Sequence, residues 1–122
     1  MTWVRVAALL GFLAVALGAF GAHGLRGRTS DAHLAVWQTG VLYHALHAVA
    51  LFALALYGRA TREKVTAPAA LFSAGVVLFS GSLYALVLTG VGKLGMITPL
   101  GGVAFLGGWA AVFVTLGRRR QE

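Results

Sequence analysis

The sequence predicts an all-α protein, an integral membrane bundle of four transmembrane helices. Of its 122 residues, 59% are hydrophobic and only 11% are charged, whereas charged residues make up about a quarter of an ordinary soluble domain. The apolar residues fall into four segments, about 4–22, 37–57, 67–89 and 99–117. Each is near the length of roughly 20 residues that an α-helix needs to cross a bilayer. We therefore expect a single transmembrane domain over residues 1–122.

The first apolar segment follows a short basic start with Arg5 and is predicted to be a retained helix. Gly11, Ala14 and Gly18 lie at spacings that suit close helix packing in a membrane. An alternative stays open, because Ala19-Phe20-Gly21 is similar to the small-x-small cleavage site of a signal peptide. Retention and cleavage differ in the mass of the mature protein.

The helix that contains the second apolar segment is predicted to begin near Asp31, before the segment itself. Ser30 and Asp31 are suited to cap its start. It enters the hydrocarbon region at Trp37 and is expected to end at Gly58. Trp37 and Tyr57 stand near the two ends of the span, where aromatic side chains commonly anchor a helix at the membrane surface.

Hydroxyl and proline pairs mark the starts of the last two helices. Thr66 with Pro68 follows the linker at residues 59–66, and Thr98 lies directly before Pro99. A capping hydroxyl beside a proline is a typical helix start. The three arginines at residues 118–120 are expected to stop the fourth helix at the membrane surface.

The basic residues indicate the orientation. The formal net charge of +7 would suggest a nucleic-acid partner for a soluble protein, but here the basic residues stand in short runs between apolar segments, so no such partner is expected. One side holds seven of them and the other holds three. The first set is Arg5, Arg59, Arg62, Lys64, Arg118, Arg119 and Arg120; the second is Arg26, Arg28 and Lys93. The positive-inside rule then places both termini in the cytoplasm of a bacterial inner-membrane protein.

Two histidines near the middle of the second span are the candidate functional residues. On a helical wheel, His44 and His47 share an arc of about 100° with Tyr43. Ionisable groups at this depth usually face the interior of a bundle. We expect His47 to be neutral and buried against another helix, because no span supplies an anionic partner.

The second and third helices are expected to be antiparallel neighbours, which brings their polar side chains to one depth. This predicts a small polar pocket that opens outward and is lined by Tyr43, His44, Ser80 and Tyr84, with His47 as its floor. The alternative is a closed hydrogen-bond network that only fixes packing. The further contributors are His23, Gln38, Thr98 and Trp109. The indole N–H of a tryptophan this deep is expected to need an acceptor such as a histidine.

Several kinds of site are disfavoured. His-x-x-His offers two nitrogens, and the spans hold neither a cysteine nor a carboxylate to complete a metal site. We therefore expect no metal, no cofactor and no catalytic residue. The acidic residues Asp31, Glu63 and Glu122 lie outside the spans, which disfavours a proton-driven cation exporter. The G-x-G-x-x-G pattern at residues 90–95 is interpreted as accidental, since no strand precedes it.

Four motifs, taken in order, resemble a known family. They are Gly18-Ala19-Phe20-Gly21-Ala22-His23-Gly24-Leu25; Trp37-Gln38-Thr39-Gly40 with Tyr43 and His47; Phe79-Ser80-Gly81-Ser82-Leu83-Tyr84; and Thr98-Pro99-Leu100-Gly101-Gly102 with Gly108-Trp109. As a set they resemble the small bacterial inner-membrane family called domain of unknown function 423, which is similar to a eukaryotic transmembrane protein family. The resemblance implies a multi-pass protein with a retained first helix and no established activity. In that family the histidine that matches His47 is the firmer of the two, and there are no catalytic residues to carry over.

Two functional hypotheses follow from the sequence. The first is a non-enzymatic membrane component that packs with itself or with a larger complex, favoured by small size and by many small-residue surfaces. The second is a carrier or channel for protons or a small solute, favoured by the intramembrane histidines. The expected partners are the lipid bilayer and either further copies of the chain or a larger membrane complex.

Overall fold

The structure, a computed structural model, describes residues 2–117, which form four long helices. Helix α1 is α-helical over Thr2–Phe20 and continues as a π-helical turn, Gly21–Leu25; α2 is Asp31–Thr61; α3 is Thr66–Thr89 with a π-helical turn at Val76–Ser80; α4 is Thr98–Gly117 and follows a 3₁₀-helix, Gly92–Met96. Each of the four is long and apolar enough to cross a membrane. The prediction of an all-α bundle of four transmembrane helices is confirmed. The three arginines expected to stop α4 lie outside the described residues.

The three predicted hydroxyl caps behave differently, and Thr66 provides no side-chain cap, since it is the first residue of α3 after Val65. The Ser30 hydroxyl accepts a hydrogen bond from the backbone N–H of His33 at 3.0 Å, as expected of a cap. The Thr98 hydroxyl instead lies 2.6 Å from that of Ser82, which already donates to the Phe79 carbonyl. Because Ser82 has one hydroxyl proton, Thr98 is the donor between the two. This bond ties the start of α4 to α3.

Helix α2 does not end at Gly58, as the sequence predicted, but continues to Thr61. The turn is made by Arg62, whose φ of 62° lies in the left-handed region. The Thr61 hydroxyl supports this end, since it donates to the Tyr57 carbonyl at 2.8 Å and accepts from the Glu63 N–H at 3.3 Å. The linker to α3 is therefore shorter than predicted.

The buried apolar side chains form two clusters, one toward each end of the bundle. One cluster joins the start of α1 to the end of α2 and the start of α3: Ala7, Leu51, Leu54, Val65, Ala69 and Phe72. The other joins the end of α1 to the start of α2 and the end of α3: Leu25, Trp37 and Val87. Helices α1, α2 and α3 are therefore antiparallel in sequence order. The two histidines lie between the clusters.

Trp37 is not the interfacial anchor that its place near the end of the span suggested. It is 1% exposed, and its indole N–H donates to the Leu17 carbonyl of α1 at 2.9 Å. Its ring lies 5.6 Å from that of Phe20 and 4.7 Å from that of Tyr84. The π-helical turn at the end of α1 brings the chain over the indole, so Trp37 belongs to the core.

Helices α3 and α4 approach each other closely at three glycines, Gly75, Gly101 and Gly108. A Cβ on Gly101 would collide with the backbone of Phe79, and a Cβ on Gly75 would collide with the ring of Phe105. Neither position has room for a side chain. This close approach of α3 to α4 brings the aromatic residues of α4 up to His47.

Candidate functional site

His44 and His47 both face the interior of the bundle, where they are 2% and 3% exposed. Tyr43 lies at the edge of the same stripe and is 38% exposed. The stripe therefore carries two buried imidazoles and one phenol that faces the surrounding membrane. Their partners lie on different helices.

His47 has a hydrogen-bond partner at each ring nitrogen. Nδ1 lies 2.8 Å from the backbone oxygen of Tyr43, and the indole Nε1 of Trp109 lies 3.0 Å from Nε2. A carbonyl oxygen can only accept and an indole N–H can only donate. Nδ1 must therefore carry the proton and Nε2 must be bare, so this geometry fixes His47 as the neutral Nδ1–H tautomer.

Aromatic side chains surround the His47 ring. The Phe105 ring of α4 stacks on it at 3.6 Å between centroids and 8° between planes. The rings of Phe72 and Trp109 meet it edge-on at 5.4 Å and 6.0 Å. His47 thus contacts α3 and α4 from α2, in an environment that keeps a neutral ring in place.

His44 bonds to α3 instead. Its Nδ1 lies 2.9 Å from the hydroxyl of Tyr84, while its Nε2 is buried and has no hydrogen-bond partner among the described residues. If Tyr84 donates to Nδ1, only the N–H at Nε2 is left unpaired. If Nδ1 donates to Tyr84 instead, both Nε2 and the Tyr84 O–H are left unpaired. The Nε2–H tautomer is therefore favoured.

Ser80 is fully buried, and its hydroxyl donates to the Gly40 carbonyl of α2 at 2.7 Å. It stands at the end of the π-helical turn in α3. On a regular α-helical wheel Val77 would share the face of Ser80, but Val77 is 65% exposed. The reason is that a π-helical turn holds more residues than an α-helical one and rotates the following side chains.

The residues of the single predicted pocket lie in two groups in the structure. His44, Ser80 and Tyr84 lie between α2 and α3, whereas His47 joins Trp109 of α4. The Tyr43 ring packs on Phe79, with centroids 4.7 Å apart. The hydrogen bonds of both groups join α2 to a neighbouring helix, and Tyr43 and His47 also line a groove.

The further contributors also separate. Trp109 has a histidine nitrogen as its acceptor, the kind of partner that the sequence suggested. Thr98 bonds to Ser82 and takes no part in either histidine group. His23 and Gln38 are exposed, and among the described residues neither side chain forms a hydrogen bond with either imidazole.

Sequence reasoning missed the residues that enclose His47. Phe72, Phe79 and Phe105 form the aromatic surroundings of its ring and of Tyr43. Gly75 was a usable signal, since a small residue in one helix can mark the place where a ring from the next helix enters. Within residues 2–117, no group of three His, Cys, Asp or Glu is placed to hold a metal ion.

Comparison with known proteins identifies the family. Residues 17–102 match the family model described as "Protein of unknown function (DUF423)". The chain is 49% identical over 114 residues to the UPF0382 membrane protein YwdK of Bacillus subtilis, covering 92% of this chain and 93% of that protein. It is 42% identical over 120 residues to the UPF0382 membrane protein C1782.12c of Schizosaccharomyces pombe, covering 93% and 100%. No solved structure matches. The resemblance found in the sequence motifs is confirmed, and the chain belongs to this family of membrane proteins of unknown function with bacterial and eukaryotic members.

Proposed function

We propose that the protein is a non-enzymatic membrane component that packs with itself or with a larger complex. The observation that supports this most is that polar side chains inside the bundle form hydrogen bonds between helices. Both nitrogens of His47 are engaged, and one of these bonds reaches another helix. An imidazole held in this way joins two helices and has no free nitrogen with which to transfer a proton.

Two other buried polar side chains also form hydrogen bonds between helices. The indole of Trp37 bonds from α2 to α1, and Ser80 bonds from α3 to α2. In a membrane, association between helices relies on such hydrogen bonds and on close packing, since lipid tails are as apolar as the side chains. The spans also lack a carboxylate or thiol that could serve as a catalytic nucleophile or base.

An open groove between α1 and α2 is the surface that we assign to association. It has a volume of about 390 Å³ and is lined by Ala7, Ala8, Gly11, Ala14, Val15, Ala45, Ala48, Val49 and Phe52. Most of these side chains are small, which is the composition that lets another helix approach closely. A Cβ on Gly11 would meet no atom within 4 Å, so the groove is open at its centre.

Substitution of Gly11 tests this assignment. Gly11→Leu would fill the groove without disturbing the chain's own packing, and we expect it to lower the fraction of oligomers. Gly81→Leu is the matched control, because a Cβ there also meets nothing within 4 Å but lies away from the groove. Single-molecule photobleaching in bilayers measures the oligomer distribution. A monomeric wild type, or equal loss in both variants, would contradict the assignment.

The alternative is a carrier or channel for protons or a small solute that uses the intramembrane histidines. The observation that favours it is His44, whose Nε2 is buried and lacks a partner among the described residues. Unlike His47, this ring has a nitrogen that is not committed to a hydrogen bond. Histidine-dependent flux into vesicles would support this alternative over the first proposal.

For localisation, we propose a bacterial inner membrane with both termini in the cytoplasm. The start of α1 and the linker between α2 and α3 lie at the same end of the bundle, where Trp3 and Glu63 line one cavity. Arg5, Arg59, Arg62 and Lys64 of that end make it the more basic one in sequence. The proposed partners are the bilayer and other membrane proteins or copies of the chain, and not nucleic acid.

A further inference from the structure

A second groove lies beside His47, on the side where α2 faces α4. Its volume is about 470 Å³, within the range of about 300–1,000 Å³ typical of small-molecule sites. Its lining consists of Tyr43, Leu46, His47, Phe79, Pro99, Gly102, Val103, Phe105, Leu106 and Trp109. Val103 and Leu106 at its rim are 66% and 71% exposed. A ligand would therefore enter from the membrane.

The groove has an aromatic floor. The rings of Phe79 and Phe105 lie 5.5 Å apart, and the Tyr43 ring is near both, at 4.7 Å and 6.3 Å. Opposite them, the space at Gly102 is open, since a Cβ there would have its nearest neighbour at 4.0 Å. Such a groove favours a flat ring that can stack on aromatic faces.

One polar group of the lining has no partner in the protein. The Tyr43 hydroxyl forms no hydrogen bond with any described group, although the Tyr43 backbone oxygen accepts from His47. His47 is the middle residue of the span expected at residues 37–57, so the backbone of Tyr43 stands about 6 Å from the centre of that span along the helix axis. Within hydrocarbon an unpaired hydroxyl is costly. The hydroxyl is therefore suited to a ligand that carries an acceptor at this depth.

We propose that this groove binds a membrane-soluble quinone, with its ring on the aromatic floor and the Tyr43 hydroxyl donating to a ring carbonyl. A lipid acyl chain would fill the groove but offers no acceptor there. The imidazole of His47 offers no hydrogen bond to the ligand, since both of its nitrogens are engaged. The proposal is one of binding, and no proton or electron transfer is part of it.

The three tryptophans allow the test to show where in the protein the quinone binds. Trp109 lines the groove, Trp37 is buried against α1, and Trp3 lines a cavity at the other end of α1. A decyl-substituted benzoquinone is titrated into ¹⁵N-labelled protein in bilayer nanodiscs, and the three indole N–H signals are followed, with Trp109→Phe identifying the first. We expect a saturable shift of the Trp109 signal alone. Equal or unsaturable shifts in all three signals would overturn the proposal.

Two variants and one control ligand sharpen the result. Tyr43→Phe removes one hydrogen bond and is expected to weaken quinone binding about five-fold, while leaving binding of decylbenzene, which lacks the carbonyls, unchanged. Val103→Phe narrows the groove and is expected to abolish the shift, whereas Val77→Phe, at a similarly exposed position of α3, is expected to keep it. Equal affinity for quinone and decylbenzene would overturn the quinone assignment. A shift of the Trp109 signal that follows the protein concentration and not the quinone concentration would overturn it as well. The latter result would indicate a second copy of the chain in the groove.

Discussion

A histidine in a hydrocarbon environment needs a partner for each ring nitrogen, and His47 has one acceptor and one donor. The Tyr43 carbonyl takes the proton of Nδ1, and the Trp109 indole donates to Nε2. A second proton on Nε2 would face the indole N–H at hydrogen-bonding distance. The partner set therefore opposes protonation directly, in addition to the cost of a charge at this depth.

The first prediction is that His47 stays neutral, with its proton on Nδ1, at pH 7. The reason is the fixed direction of its two hydrogen bonds. Nitrogen-15 NMR of the labelled protein in bilayers distinguishes the two neutral tautomers from the imidazolium, and His47→Gln assigns the signal. An imidazolium at pH 7, or a proton on Nε2, would contradict the bonding pattern.

For single residues, the sequence predicted the hydrogen-bond partner that a side chain needs better than it predicted where in the bundle the side chain lies. A helix start at Ser30 and a nitrogen acceptor for Trp109 both follow from what those side chains need, and the structure has both. Trp37 was misplaced because the sequence shows how near a residue is to the end of a span but not whether a neighbouring helix covers it. The same limit made Tyr43 part of a pocket with His44. Which helix each face of α2 meets depends on crossing geometry that the sequence does not contain.

The contact between α3 and α4 depends on the absence of side chains at three positions. Gly101 faces the Phe79 backbone, which cannot rotate away as a side chain could. Close approach at such sites is a general feature of packed membrane helices. It also positions Phe105 and Trp109 against His47.

The second prediction compares the same substitution at two glycines. Gly101→Ala is expected to lower the free energy of unfolding by about 2 kcal/mol, because the added methyl forces the two helices apart. Gly81→Ala meets no atom within 4 Å and is expected to raise it by about 0.5 kcal/mol through helix propensity. Unfolding in mixed micelles with increasing SDS measures both. If Gly101→Ala were as stable as Gly81→Ala, the close approach would be wrong.

The existence of the four helices was readable from the sequence, but their details were not. Long apolar segments are a strong signal, whereas the end of α2 depended on Arg62 adopting a left-handed conformation that glycine adopts more readily. The π-helical turn before Gly81 changed which residues of α3 face α2. Neither feature could be read from the spacing of the apolar residues, which is the signal that predicted the helices.

In the whole molecule, the distribution of basic residues between the two ends of the bundle predicts its orientation in the membrane. Among the described residues, the end that holds the start of α1 and the linker between α2 and α3 carries Arg5, Arg59, Arg62 and Lys64. The opposite end carries Arg26, Arg28 and Lys93. These two sets give a bias of four to three, and the predicted asymmetry depends on the three arginines of the C-terminal tail as well.

The third prediction is that both termini lie in the cytoplasm and that the chain retains its first helix. Fluorescent and alkaline phosphatase reporters fused after residue 122, so that the three C-terminal arginines are kept, distinguish the two sides, and the same reporters placed in the loop at residues 26–30 provide the opposite control. Phosphatase activity at the C-terminal fusion would refute the orientation. A purified protein lacking about the first 21 residues would instead support cleavage.

We propose that the intramembrane histidines join helices through hydrogen bonds and do not carry protons. A measurement of proton flux tests this most directly. Wild-type protein, His44→Leu and His47→Leu are reconstituted into vesicles with a trapped pH-sensitive dye, and the unfolding of each is measured on the same samples. We predict that a pH gradient decays no faster with wild type than in protein-free vesicles, while both variants unfold more easily because they lose bonds to α3 and α4. A wild-type flux that disappears in His44→Leu without loss of stability would contradict the account.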